Sequence, residues 1–563
     1  MKNTILKTQL FLAPIVAMAF LLTATAYAAV PGITGGTSTS AATFDLVAHD
    51  AFLNQPDGQA VYSWGYGCDQ SKLPAGYAPA AISHTFCTNM QVPGPTLILT
   101  QGQTVTVNLT NLLPASAGNT SILFPGFTLT SVSGGVTGLL TQEAAPAGCS
   151  PSGCNKVTYV FTASSPGTRA YYSGTQGDLQ VEMGLFGAIV VLPASAPTGC
   201  PAAQTSLSAG NVLVEQNWGE SDFRLTPAGA SAPVGYAYNH CQTAYDREYL
   251  FQFSEMDSGI HRKALAQVTA AASLCSTNGV GGAGCSLSVP TEPYVPAYFL
   301  VNGRSMPDLM DGNYAVEYPH QPYNGNPHMH PGETTLIRVI GTGRWQHPFH
   351  EHANHVRILA RDGNLILSKG DATTLAGPLM FTTSTTPGLA FDGLFYYTGK
   401  GLNWDMYGHN FADVGKGNAA TAAPACHPDA NGYYTVNSSP AAPVSAINYY
   451  EWCQDHFKPV QATPLGDVGG GGPVTLPDPN IFTNGAWYNG SPYLGPDANV
   501  RAVGYNSVQL PSDLQVNTSN ERGFAFMWHS HNEREITTNN VFPGGMLMMM
   551  LVDSREFVID ESN

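Results

Sequence analysis

From residue 44 onward the chain reads as short runs of strand-like residues separated by turns. TFDLVAHD, PTLILTQGQTVTVNLTNLL, KVTYVFTA, TRAYYSG and LFGAIVVLP follow one another up to about Pro193. In TVTVNLTNL the alternation sets Val105, Val107 and Leu109 on one face and polar residues on the other, the period of a half-buried strand. Gly102-Gln103 supplies the turn between two such strands. A Pro/Ala/Ser/Thr/Gly-rich connection, ASAPTGCPAAQTSLSAG, leads into a second strand-rich region. It holds NVLVEQNW, AYFLVNGRSMP, ETTLIRVIGTGRW, NHVRILARDGNLIL, FDGLFYYTGKG, FAFMWHSH and GGMLMMMLVD. One segment departs from period two: REYLFQFSEMDSGIHRKALAQVTAAASL predicts a strand followed by a short helix.

The pattern predicts an all-β chain of tandem β-sandwiches. The expected limits are a flexible leader over 29–43, a first sandwich over 44–195 and an enlarged second region over 205–555, divisible into two domains. An insertion over about 412–522, rich in Ala, Pro, Gly and Asn, interrupts the second region. Gly and Pro total 101 residues, too many for a helical protein and ordinary for strands joined by turns. With 43% hydrophobic residues the composition is that of a folded chain.

The first 28 residues read as a signal peptide. Lys2 and Lys7 precede the apolar run FLAPIVAMAFLL, which is shorter than a membrane span, and Ala26-Tyr27-Ala28 has the small-x-small form of a cleavage site. The expected location is therefore secreted, periplasmic or at the cell surface. Ten cysteines follow, an even number that favours disulfides in such a compartment. The expected pairs are Cys68–Cys87, Cys149–Cys154, Cys275–Cys285 and Cys426–Cys453, leaving Cys200–Cys241 for a junction between domains. The net charge is −17, and removing the two signal lysines makes it −19. That balance opposes nucleic-acid binding and offers no basic patch to an anionic surface.

The candidate chemistry lies in two histidine-dense strings, HPFHEHANH at 347–355 and MWHSHNERE at 527–535. Together they hold His347, His350, His352, His355, His529 and His531, six of the 16 histidines. Imidazole is the commonest protein metal ligand, and His-x-His on a strand points both rings to one face. Two such strands suit a transition metal gripped from two sides, copper first. Glu535 is a further candidate, as a ligand or as an orienting carboxylate. His328-Met329-His330, with His320 upstream, lies in the loop NGNPHMHPG, is expected to be exposed, and reads equally as an accessory surface site for copper or another cation and as plain loop. Met546 and Met548 to Met550 are expected to pack in the core, as are Trp528, Tyr171 and Tyr172. Calcium-loop spacing, a phosphate-binding glycine loop and a serine-hydrolase elbow are all missing from the sequence.

Several of these segments resemble the multicopper oxidases. QVPGPTLILTQGQTVTVNLTNLLP resembles the family's first-domain signature, and GTRAYYSGTQGDLQVEMGLFGAIVVLP its second motif region. YFLVNGRSMP resembles the opening of a later cupredoxin domain. HPFHEHANH resembles the third motif, His-Pro-x-His-x-His, and HSH followed by GGMLMMMLV the fourth. The resemblance implies tandem cupredoxin-like Greek-key sandwiches, copper, and oxygen or a small reductant as reaction partner. It also exposes departures. Leu123 and Pro125 stand where the first motif has ligands, and Tyr172 and Gly174 replace the second motif's histidines. Ser530 stands at the type 1 copper cysteine and Glu535 at the following type 1 histidine. Met546 lies near the axial position, without a thiolate to share a copper.

A type 1 centre depends on a copper–thiolate bond, which a serine hydroxyl cannot supply. By the family pattern His350, His352, His529 and His531 remain of eight cluster histidines, and His347 is stranded from its type 1 partners. A laccase-type four-electron reduction of oxygen is not expected. The chain instead reads as an exported copper-binding protein with oxidoreductase activity at a mono- or dinuclear histidine site. Two alternatives stay open. One is a non-catalytic metal-sequestering or structural cell-surface protein on the same scaffold. The other is an enzyme of another divalent transition metal (Mn, Fe or Zn) using the four histidines and Glu535. Gly523, five residues, His529-x-His531, three residues and Glu535 also fit the first half of a cupin motif, which favours such mixed ligation.

Overall fold

A computed structural model describes residues 30–36, 38–78, 87–200, 235–329, 334–396, 427–428, 434–435 and 524–552. The first sandwich pairs two five-stranded sheets. One runs Gly167–Tyr172, Phe186–Leu192, Leu97–Thr100, Gly32–Thr34, Gly76–Ala78. The other runs Ala60–Cys68, Ala41–Asn54, Thr104–Asn111, Lys156–Thr162, Leu129–Gly134. The alternation in Thr104–Asn111 is what places it: Val105, Val107 and Leu109 are buried and stand opposite Phe161, Tyr159 and Val157 in register. Gly102, at φ +91°, makes the preceding turn that a side chain would strain.

The stretch expected to be a flexible leader is partly sheet. Gly32–Thr34 pairs with both Leu97–Thr100 and Gly76–Ala78, the long strand already begins at Ala41, and Val30 and Ile33 are buried. Small and polar composition suggested a linker, but long-range backbone pairing with neighbouring strands overrides that local signal.

The second sandwich repeats the device. One sheet runs Tyr298–Val301, Arg247–Met256, Thr334–Gly341, Ala390–Tyr396, Val356–Arg361, Asn364–Leu365, with Leu379–Met380 also on Val356–Arg361. The facing sheet runs His328–Met329, Leu547–Val552, Phe524–Ser530, His347–Glu351, Thr382–Thr385. In each sandwich the opening strand pairs in parallel with a later one, Ala41–Asn54 with Thr104–Asn111 and Arg247–Met256 with Thr334–Gly341. Parallel neighbours need crossover connections rather than hairpins, so the two halves share a topology. Phe251, Phe253, Val339, Phe349, Trp528, Met546, Met548 and Met550 fill the second core, the packing role expected of the methionines and Trp528.

Strand then helix is the observed order at Arg247–Met256 and Ser258–Asn278. The helix, at 21 residues, is longer than the short one expected. Asp257 caps its start by accepting from Gly259 N and Ile260 N, and Gly279 ends it with φ +79°. Its buried residues Ile260 and Ala264 join the core of the first sandwich, so an element of the second region caps the first.

The two sandwiches meet over Ile98, Ala170, Ala188 and Val190 on one side and Leu250, Ile340 and Ala390 on the other. Fully buried Arg338 sits at this junction. It donates to Glu248, to Asp392 Oδ1 at 3.3 Å and to Thr168 Oγ1 of the first sandwich at 3.0 Å.

Four disulfides, Cys68–Cys87, Cys149–Cys154, Cys200–Cys241 and Cys275–Cys285, match expected pairs. Cys426 and Cys453 lie outside the described residues, as does the insertion over 412–522 apart from His427–Pro428 and Tyr434–Thr435. His328 and Met329, expected in an exposed loop, are buried and pair with Leu551 and Val552, because the edge of the facing sheet recruits them as a strand. His330 lies outside the described residues. Among the described residues no helix is long and apolar enough to cross a membrane.

Candidate metal centre

The two histidine strings are neighbouring strands. His347–Glu351 and Phe524–Ser530 run antiparallel, with Phe349 opposite Ser530, His350 opposite His529 and Glu351 opposite Trp528. Alternation then sorts the side chains onto two faces. Phe349, Glu351, Trp528 and Ser530 point into the sandwich, while His350, His352, His529 and His531 share the opposite face.

The four rings on that face form a compact set. Ring centroids lie 4.8 Å apart for His350–His352, 5.6 Å for His350–His529, 5.1 Å for His350–His531, 5.3 Å for His352–His529 and 5.4 Å for His529–His531. One nitrogen from each of His350, His352 and His529 can be chosen so that all lie within 4.8 Å of one another. His350 and His529 are buried, His352 is half-buried, and the side chain of His531 is 56% exposed.

Neighbouring groups orient the rings. His529 Nδ1 lies 2.8 Å from the Ser530 carbonyl oxygen, which can only accept, so Nδ1 carries the hydrogen and Nε2 the lone pair. That Nε2 is 3.3 Å from His352 Nε2. A tetrahedral ion roughly 2.0–2.1 Å from each imidazole nitrogen spaces its ligands by about 3.3 Å, so this pair fits a shared cation. His350 Nδ1 lies 2.8 Å from Thr382 Oγ1 on the adjoining strand. Burial, then the proximity of His352, His529 and His531, pushes the pKa of His350 down to about 4. Burial likewise lowers that of His529. Neutral imidazoles are the form that ligates metal.

The other sequence candidates lie elsewhere. His355 is half-buried with its ring 5.2 Å from that of Phe381. His347 and Glu535 come together inside the sandwich, not on the histidine face. His347 Nδ1 is 2.8 Å from Glu535 Oε2 and its Nε2 is 3.0 Å from Glu255 Oε2. Burial opposes a charge on this ring, but the hydrogen bonds and charges of Glu255 and Glu535 outweigh it and raise the pKa to about 9. Ser530 Oγ donates to the same Oε2 of Glu535, and Asn532 Nδ2 donates to Oε1 at 2.8 Å. Both oxygens of Glu535 are thus engaged on the inner face. Glu351, also inside, accepts from Thr383 Oγ1 at 2.9 Å, and burial pushes the pKa of its carboxyl well above the usual range.

A type 1 copper does not fit these residues. The position of its thiolate is a hydroxyl engaged with Glu535, and the candidate imidazole has a carboxylate at each nitrogen. Nor does the first sandwich supply ligands from its two motif segments. Leu123 and Tyr172 pair with each other through Leu123 N to Tyr172 O at 2.8 Å, and a Cβ at Gly174 would press on Leu123.

Glu255 and Thr382 were missed in the sequence. Glu255 is 92 residues from His347 and belongs to the opposite sheet, and Thr382 is one threonine in a TTST run. No spacing pattern marks either.

Residues 76–196 match the sequence profile of the family described as Multicopper oxidase. No curated protein sequence matches the chain significantly. Among solved structures, the chain is similar to the multicopper oxidase mgLAC, at 14% identity and a TM-score of 0.41, over 92% of this chain and 87% of that one. It is also similar to a blue copper oxidase from Nitrosomonas europaea, at 13% identity and a TM-score of 0.40, over 90% and 85% of the two chains. A copper nitrite reductase from the same organism aligns at 15% identity and a TM-score of 0.33, over 62% of this chain and 83% of that one. The profile match falls on the first of the two β-sandwiches, so over residues 76–196 the chain is similar to the multicopper oxidases.

Proposed function

We propose that this is an exported copper-binding protein whose copper, one ion or a pair, is held by His350, His352, His529 and His531. The observation that carries this is the set of three imidazoles with donor atoms within 4.8 Å of one another, joined by the ring of His531 at 5.1 Å from that of His350. Copper bound there would supply one-electron exchange. The protein's part is to favour the neutral form of His350 and His529 through burial, to fix the ring of His529 through the Ser530 carbonyl and to place Thr382 behind His350. His531, largely exposed, leaves one side of the set open to solvent, which suits oxygen, peroxide or a small reductant that meets the metal directly. Bulky electron donors served by a type 1 centre are a poor match, since Ser530 and Glu535 replace its ligands.

Metal analysis and EPR of the purified full chain after copper loading test this assignment. The expected result is stoichiometric Cu(II) with nitrogen ligation and no intense thiolate band near ~600 nm, because the thiolate that gives such a site its character is missing. His350→Ala and His529→Ala are each expected to weaken copper binding at least tenfold. Full affinity in both variants would disprove the paired-strand site, and stoichiometric zinc or manganese in place of copper would reassign the metal.

A further inference from the structure

The pocket behind the histidine face is not used by that function. We propose that Glu255, His347, Glu535 and Ser530 form a metal-free, proton-bonded clamp, in which His347 and Glu535 are positioning residues for the four imidazoles. The positioning role rests on the copper site proposed above, whereas the clamp itself does not.

The chemistry of the pocket follows from its contacts. His347 is fully buried with a carboxylate oxygen at each ring nitrogen, 2.8 Å away at Nδ1 and 3.0 Å at Nε2. Ionised carboxylates only accept, so both nitrogens must carry hydrogen, and an imidazolium has no lone pair for a metal. The carboxylates are fixed in turn. Glu535 Oε2 also receives Ser530 Oγ, and its Oε1 receives Asn532 Nδ2 at 2.8 Å. Glu255 Oε1 accepts the backbone N–H groups of Arg344 at 2.6 Å and Trp345 at 2.8 Å, with the Tyr294 hydroxyl at 3.2 Å. Charged hydrogen bonds of this kind are stronger than neutral ones, and a buried network that is well satisfied holds one arrangement.

The clamp joins the three segments that set the metal face. His347 opens one ligand strand, Ser530 closes the other, and Glu255 belongs to the opposing sheet. The tie from His347 through Glu535 to Ser530 therefore spans the same two strands that carry the ligand pairs. The backbone repeats it: Ser530 N donates to Met546 O at 2.9 Å, Met546 N to Glu535 O at 2.8 Å, and His531 N to Pro348 O at 2.8 Å. A slip of one residue between these strands would turn His529 and His531 into the sandwich, since side chains alternate across a sheet. Ser530 inside, anchored by Glu535, is what keeps its two neighbours outside.

Three measurements on the full chain test the proposal. In metal-free protein with 15N-labelled histidine, one ring, identified by its loss in His347→Gln, should show both nitrogens protonated at pH 7.5. A neutral His347 ring would overturn the clamp whatever the copper result. Glu535→Ala should raise the copper dissociation constant at least tenfold and split the Cu(II) EPR signal into several species. Glu535→Gln, which keeps one oxygen to accept from Ser530 and gives up only the acceptor facing Asn532, should stay within about threefold of wild type with a single signal. Unchanged affinity and EPR in Glu535→Ala would overturn the positioning role. His347→Gln should bind as many copper equivalents as wild type; loss of one equivalent that a His350→Ala/His529→Ala double variant keeps would show the pocket to be a metal site. Failure of wild type to bind copper would sink the proposed function, and the NMR result would then decide the clamp alone.

Discussion

Glu255→Gln should flatten the pH dependence of folding stability between about pH 6.5 and 9. The unfolded imidazole of His347 has a pKa near 6.5, and in the folded protein the two carboxylates raise it to about 9. A group whose folded pKa is raised stabilises the fold fully below its unfolded pKa, and that contribution is lost as pH climbs through the folded value. At roughly 1.4 kcal/mol for each tenfold gain in proton affinity, the amount at stake is about 3 kcal/mol. Because the ring is fully buried, solvent screening takes little from this figure. Removing the Glu255 charge takes away one of the two partners, so the variant should lose only about half as much across the same window. Neighbours do not mask the signal, since His350 and His529 titrate below it and buried tyrosines such as Tyr294 above it. Urea unfolding of metal-free protein at half-unit steps from pH 6 to 9.5, followed by intrinsic fluorescence, gives the curves. Flat stability in wild type over this range, or equal losses in wild type and Glu255→Gln, would refute the imidazolium between two carboxylates.

Three further outcomes follow from particular contacts. Arg338→Met should cost about 3–5 kcal/mol in chemical denaturation, because Glu248 and Asp392 keep their buried charges without the guanidinium. Phe349→Ala, which empties a fully buried site against Phe253 and Trp528, should cost about 3–5 kcal/mol while leaving the copper stoichiometry of any folded protein unchanged. Gly303→Ala should lower thermal stability by at least about 1 kcal/mol: Gly303 has φ +82°, and a Cβ there would lie 2.1 Å from the Val92 carbonyl oxygen of the first sandwich. Wild-type stability in Gly303→Ala would show that this close approach between sandwiches relaxes freely.

Much of the fold was legible because its signals are local. Alternation in Thr104–Asn111 announced a strand with one buried face, and Gly102-Gln103 announced the turn before it, made with Gly102 at φ +91°. What misled was also local. Pro31 to Thr43 looks like a linker by composition, yet Gly32–Thr34 is held by strands 42 to 64 residues away in sequence. His328 and Met329 read as loop residues, yet Leu547–Val552 makes them an edge strand. Backbone pairing at long range leaves no periodic trace in the segment that is recruited.

The same division runs through the site. His-x-His twice, together with the period of a strand, was enough to place His350 and His352 on one face and His529 and His531 on another, and neither string holds a cysteine to give a copper thiolate. Those conclusions need only residue identity and alternation. That the two faces are one, with His350 beside His529, depends on a register between strands nearly 180 residues apart. That His347 sits between two carboxylates inside the sandwich, apart from the four imidazoles, depends on Glu535 and on Glu255 from the opposite sheet. Residue type and strand period are properties of neighbouring residues and were legible in the sequence; which imidazoles gather on one face and which one meets two carboxylates is a matter of proximity, and only packing two sheets together decided it.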